Sequence, residues 1–268
     1  MLLVADNLQI TNPRIASAVY KRNPEPIREM VKQFTAAGVD AIDINSGPLP
    51  KDAEGAMGFL VSVVQEASGA SILLDTTNPS AVAAGLAVSR SRAIVNGISL
   101  DTGRLTPMLP VIRDFDADVI CYLMQSGYTL PVSVAERLSL SVELMEAVTR
   151  AGVAPERVII DPVVAPLMWA DGKERNLALI EVIRQLQEVL GFPVRTIAGI
   201  SNLTSGFSGS PDIRNEKHYL ESAFTSMLAG AGLTMAMVNV AHRRTVAAVK
   251  ASRALLIPAP FAWGQTGL

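Results

Sequence analysis

A (β/α)8 TIM barrel is the fold this chain predicts, on three observations. Short apolar runs alternate with helix-like segments eight times along 268 residues, the usual size of one such barrel. The runs are rich in Val, Ile and Leu and lack polar alternation, as in strands buried on both faces of a parallel sheet. Several end in Asp or Asn: Asp43 and Asn45 in Ala41-Ile42-Asp43-Ile44-Asn45, Asp75 after Ile72-Leu73-Leu74, Asn96 after Ala93-Ile94-Val95, Asp161 after Val158-Ile159-Ile160, and Asn202 after Gly199-Ile200-Ser201. Carboxylates and carboxamides do not belong inside such strands. At the C-terminal ends they face the mouth, where a barrel of this kind places its chemistry.

The elements follow in order. Strand-like runs occupy 2–5, 40–45, 71–75, 93–98, 118–124, 157–161, 194–201 and 234–240. A first helix is expected over 24–37, with Asn23 as its cap and Gly38 at its end. A second spans 52–67, closed by Gly69, and a third starts at Asn78-Pro79, cap and first-turn proline together. Val82, Gly85, Leu86 and Ser89 share one face of it, small enough for close packing on the sheet. Helices over 102–115, 133–151, 172–190, 215–231 and 241–256 complete the series, three of them ending at Gly152, Gly191 and Gly232 and the last stopped by Pro258. No Pro/Ser-rich linker interrupts the alternation, so one domain over 1–268 is expected, with an apolar, Pro-rich tail from about 258. An open doubly wound sheet is the runner-up, weakened because no G-x-G-x-x-G follows the first run.

Composition narrows the function class. With 49% hydrophobic and 18% charged residues and a formal net charge of −2, the chain reads as a well-buried globular protein without the basic footprint of a nucleic-acid binder. The apolar start turns polar at Asp6-Asn7, too soon for a signal peptide, and no run approaches the ~20 apolar residues of a membrane span. A cytoplasmic location is the corresponding expectation. The lone cysteine, Cys121, sits in an apolar run and reads as a small buried hydrophobe. His218 and His242 offer no metal-ligand spacing with each other or with Cys121.

The strand-end residues each admit a structural and a functional reading. Asp75 either caps the following helix or faces the mouth, although Asn78 is better placed to cap. Asp161 precedes Pro162, which favours extended backbone and keeps the carboxylate in line with the strand. It either braces a loop or accepts paired N–H groups from a ring such as an amino-pyrimidinone. Asn96 stands in Val95-Asn96-Gly97, an Asn-Gly turn or a mouth residue. Asp43 and Asn45, two apart, share a face that is interior if Ile42 and Ile44 face the helices; they line the mouth or brace a neighbour. Asn202 carries a carboxamide, able to donate and accept as a ring nitrogen changes protonation. The Gly/Ser-rich stretch 205–210 after it is a ligand loop or a solvated turn. Together these residues suit a flat heterocycle bearing donors and acceptors.

Five motifs occur in a recognisable order: Asp43 to Pro48 (Asp-Ile-Asn-Ser-Gly-Pro), Leu74 to Pro79 (Leu-Asp-Thr-Thr-Asn-Pro), Val95 to Ser99 (Val-Asn-Gly-Ile-Ser), Asp161-Pro162, and Gly199 to Asn202 (Gly-Ile-Ser-Asn). In these the chain resembles the pterin-binding methyltransferases that act between methyltetrahydrofolate and a corrinoid protein, sister family to dihydropteroate synthase. The resemblance implies that Asp75, Asn96 and Asp161 hold the pterin ring and that Asn202 sits at N5. It also implies tetrahydrofolate or methyltetrahydrofolate as substrate, a corrinoid carried by a partner protein, and a homodimer. The synthase typically has Gly-x-Ser-Arg-Lys after the seventh strand and Arg-x-His near the eighth; this chain has Gly199-Ile200-Ser201-Asn202-Leu203 and Met237-Val238-Asn239-Val240. Acetogen methyltransferases carry Gln where this chain has Ser205 and Arg where it has Ser210, with Arg214 a replacement from a shifted loop. The departures suggest a methyltransferase of a demethylating system. Dihydropteroate synthesis and a non-catalytic pterin-binding barrel are the rival readings.

Overall fold

Eight strands close on themselves in sequence order: β1 (Leu2–Gln9), β2 (Ala41–Asn45), β3 (Ser71–Asp75), β4 (Ile94–Ile98), β5 (Asp118–Tyr122), β6 (Val158–Asp161), β7 (Arg195–Gly199) and β8 (Met235–Val238). Each pairs in parallel with the next, and β8 pairs in parallel with β1. This arrangement, in a computed structural model describing residues 1–47, 52–127, 129–206 and 211–267, is the expected (β/α)8 barrel. Of residues 211–214 and 265 only the backbone is described.

The strand sequences explain the barrel's interior. One residue from each strand, Val4, Ala41, Leu73, Ile94, Ile120, Ile159, Ile197 and Met235, forms a buried apolar cluster inside the barrel. Fully burying each larger aliphatic chain contributes about 1.5–3 kcal/mol, so this ring is a packed floor and not a pore. Two residues further along every strand, on the same side by the period of two, stand Asp6, Asp43, Asp75, Asn96, Tyr122, Asp161, Gly199 and Met237. A mostly polar ring therefore sits directly above an apolar one. The alternate residues, among them Ile42, Ile44, Ile72, Leu74, Val95, Val119 and Ile160, face outward and form the larger core under the helices.

Nine α-helices and three 3-10 turns occur among the described residues. Pro13–Tyr20 (α1) and Glu25–Ala37 (α2) follow β1; α3 (Ala53–Ala67), α4 (Pro79–Val88), α5 (Thr102–Asp114), α6 (Val134–Arg150), α7 (Gly172–Leu190), α8 (Pro211–Ala231) and α9 (Arg243–Leu256) follow β2 to β8, and a single 3-10 turn, Ile200–Thr204, directly extends β7. Asn78 caps α4 as expected, accepting from the backbone N–H of Ser80 and Ala81. Gly38 and Gly191 end α2 and α7 in the left-handed conformation, at φ 73° and 79°. Gly85 lets α4 approach α3 and β3: a Cβ there would lie 2.8 Å from Met57 Cγ and 3.1 Å from Leu74 Cδ1.

Several expectations need correction. β1 runs to Gln9 rather than residue 5, because a register shift between Ala5 and Leu8 accommodates Asp6 and Asn7. An additional helix, α1, capped by Asn12, precedes α2. Asn23 does accept from Glu25 N–H at 3.2 Å, but the capping position itself is Pro24. Helix α3 ends at Ser68 in extended backbone, not through Gly69. The seventh strand stops at Gly199, so Ser201 and Asn202 lie on the 3-10 turn rather than on the strand. At the opposite end of the barrel, Arg253 on α9 pairs with Asp40, just before β2, which also accepts from Leu3 N–H at 2.7 Å, and Arg195 on β7 pairs with Asp118 on β5 at 2.6 Å. No helix among the described residues is long and apolar enough to cross a membrane.

Candidate active site

The polar ring is joined by hydrogen bonds in two groups. On β2 to β4, Asn45, Asp75 and Asn96 occupy one register row. Asn45 Nδ2 donates to Asp75 Oδ2 at 2.6 Å, while its Oδ1 accepts from Gly47 N–H at 2.9 Å. Asn96 Nδ2 donates to Asp43 Oδ1 at 2.9 Å, and its Oδ1 accepts from the hydroxyl of Tyr122. With both ends engaged, the Asn96 carboxamide is fixed in orientation, yet it keeps one N–H and one lone pair spare. Neither the hairpin-turn reading of Asn96 nor the capping reading of Asp75 survives: β4 pairs in parallel on both sides, and Asn78 caps α4.

On the other wall, Asp161 pairs in register with Tyr122. Its Oδ1 accepts from Val163 N–H at 2.8 Å, so it does brace its loop, but Oδ2 has no donor among the described residues. Behind it lies Arg137, fully buried, donating to the carbonyls of Pro131 and Pro162 at 2.8 and 3.1 Å. Burial presses on every acid here. Asp161 is raised to about 7 by desolvation, opposed by the Val163 N–H and the Arg137 charge. Asp75 is raised to about 6, again by desolvation, opposed by Arg104 and by the Asn45 hydrogen bond. Asp43 is pushed well above the usual carboxylate range by burial and by the neighbouring Asp75 charge. The ring thus holds carboxylates that a ligand's N–H donors would draw into the ionised form.

Asn202 is exposed on its turn, and its side chain makes no hydrogen bond to another described residue. Ser205 follows, also exposed, its N–H donating to Asn202 O at 3.1 Å. The side chain of Arg214 and residues 207–210 lie outside what is described. Cys121 is buried, with its thiol pushed up to about 12 by burial. No group of three or more His, Cys, Asp or Glu residues with metal-holding geometry occurs among the described residues. Sequence reasoning missed Tyr122, hidden at the end of an apolar run, although it obeys the same two-residue step from Ile120. It also missed Arg104, whose guanidinium lies 6.0 Å from the Tyr122 ring centroid and for which no sequence signal exists.

Residues 8–239 match the family described as pterin binding enzyme. The chain belongs to that family. Among curated proteins this pterin-binding enzyme is similar to a methylcorrinoid:tetrahydrofolate methyltransferase of Eubacterium limosum, 22% identical over 259 residues, spanning 96% of this chain and 91% of the relative. Among solved structures it resembles dihydropteroate synthase from Xanthomonas albilineans in complex with 7,8-dihydropteroate, at TM-score 0.69 and 21% identity over 97% of this chain and 94% of the other. The Yersinia pestis synthase in a sulfonamide complex gives TM-score 0.72 at 13% identity, covering 95% and 93%. At these identities the solved structures establish the shared barrel.

Proposed function

We propose that this pterin-binding enzyme transfers a methyl group between N5 of tetrahydrofolate and the cobalt of a corrinoid carried by another protein, in a demethylation or one-carbon pathway. The observation that carries the reading is Asn202: a neutral carboxamide is presented on the turn after β7, where the sister synthases place Arg and Lys. Expelling diphosphate calls for cations at that position, and none occurs at 201–204 or 237–240. The Eubacterium limosum relative, itself a methylcorrinoid:tetrahydrofolate methyltransferase, supports the same choice and the direction from corrinoid to folate.

The ring residues suit the pterin. Asp161 has a spare carboxylate oxygen, as does Asp75, and the amino-pyrimidinone edge offers adjacent N–H donors to match. Asn96, locked by Tyr122 and Asp43, presents one donor and one acceptor at a fixed angle. The apolar floor of Ile94, Ile120 and Ile159 lies beneath, and Asn45 steadies Asp75. The corrinoid supplies the cobalt that carries or accepts the methyl group. For its part the chain must stabilise charge at N5: Asn202 strengthens its hydrogen bond there as charge develops, while water relays the proton.

The test separates binding from turnover. Tetrahydrofolate should bind the wild-type chain in a calorimetric titration, and Asn202→Ala should lower the methyl-transfer rate by on the order of 10²-fold while changing affinity only a few-fold. Equal losses in rate and affinity would assign Asn202 to ground-state binding and remove the basis of the reading.

A further inference from the structure

The turn Ile200–Thr204 is short, and short 3-10 segments have poor intrinsic hydrogen-bond geometry. Asn202 is exposed and its side chain is bonded to no described residue, so its position depends on the backbone of that turn. The turn is anchored on both sides. On one, the Ser201 hydroxyl donates to Asp6 Oδ2, from the polar ring on β1. On the other, the Thr204 hydroxyl donates to Glu221 Oε1 at 2.6 Å. The carbonyl of Leu203 accepts from Leu167 N–H at 2.9 Å, and the side chains of Ile200 and Leu203 are buried.

Glu221 is an unusual residue for a helix packed on a barrel. It is 1% exposed, and a buried carboxylate is costly unless fully paired. Here it is paired: besides Thr204, its Oε2 accepts from His242 Nδ1 at 2.8 Å and from Thr245 at 3.2 Å. Although burial raises its pKa, the hydrogen bonds from His242 and Thr204 prevail and hold it below the usual range. One side chain thus joins the turn, α8 and the start of α9. The His242 ring is itself packed on His218, centroids 4.1 Å apart.

Resting on the proposed function, we infer that Glu221 and Asp6 are positioning residues for Asn202, acting through the hydroxyls of Thr204 and Ser201. A misplacement of about 1 Å at a reacting group can cost on the order of 10²-fold in rate, and these two bonds fix the turn on either side of residue 202. The pterin-holding set on β3, β4 and β6 does not share them.

The experiment uses the full chain, free cob(I)alamin and methyltetrahydrofolate as probes, and a parallel tetrahydrofolate titration. Thr204→Val and Glu221→Gln should each lower kcat by about tenfold or more while leaving tetrahydrofolate affinity within about twofold. Thr204→Ser, which keeps the hydroxyl, should recover most of the rate. In an Asn202→Ala background, Thr204→Val should add no further loss, because the two act through one group. Should Thr204→Val or Glu221→Gln fail to fold, Ser201→Ala reads the other anchor in the same way. A folded Thr204→Val with wild-type kcat, or one that loses as much rate without Asn202 as with it, overturns the inference alone. A wild-type chain that binds tetrahydrofolate but transfers no methyl overturns the functional reading and the inference with it.

Discussion

Asp161 shows how a single residue couples the fold to the proposed chemistry. Its carboxyl is raised to about 7 because burial penalises the charged form more than Val163 N–H and Arg137 repay. For an acid whose folded pKa is raised, the native state holds the extra proton. The associated stability is present below the ordinary carboxylate range and is lost as pH rises through about 7. Thermal melts of the ligand-free protein should therefore decline from about pH 4 to about pH 7, and Asp161→Asn should make that decline shallower, the remainder coming from Asp75 and Asp43. Ligand binding carries the opposite sign, since N–H donors select the ionised form. Tetrahydrofolate affinity should weaken on the order of tenfold per pH unit below about 7, and an affinity independent of pH would argue against Asp161 as a ring acceptor. Asp43, Asn45, Asp75, Asn96 and Asp161 were legible in the sequence because an apolar strand makes a polar residue conspicuous. Tyr122 was not, since an aromatic residue blends into the run it ends.

At the scale of elements, the strands and their order followed from apolar runs punctuated by capping residues, as at Asn78 and Gly38. Their ends were harder to read. Ile200 continues the apolar run of β7, yet the chain turns into a 3-10 segment there, and no local signal distinguishes the two. Glu221, Thr204 and His242 meet only through the packing of α8 and α9 on that turn; they are 17 to 21 residues from Glu221 in sequence, so periodicity cannot pair them. The small-residue face of α4 was legible and its purpose is now specific. Gly85→Ala should destabilise the protein by about 1–2 kcal/mol in denaturant unfolding, overpacking against Met57 and Leu74 outweighing the roughly 1 kcal/mol gain in helix propensity. A stabilised variant would show that α4 can retreat from β3 at no cost. Position 97 is stricter, because a Cβ there would lie 2.6 Å from the backbone carbonyl of Ile120; Gly97→Ala should disturb β4 and β5 together and be read as lost tetrahydrofolate binding as well as lost stability.

Over the whole molecule, eight parallel strands bring residues from position 6 to position 202 to one mouth. The barrel explains why the proposed binding set can be scattered along the sequence and still converge. It also explains why fold alone cannot choose between methyl transfer and pterin condensation: the barrel resembles that of dihydropteroate synthases, a curated relative is a methyltransferase, and the proposed distinction rests on the turn after β7 and its carboxamide. The account is tested most directly by supplying the purified chain with methyltetrahydrofolate and cob(I)alamin, and separately with a pterin diphosphate and para-aminobenzoate. It predicts enzyme-dependent loss of the Co(I) absorption with tetrahydrofolate formed in equal amount, and no dihydropteroate. Dihydropteroate formation without methyl transfer would contradict it.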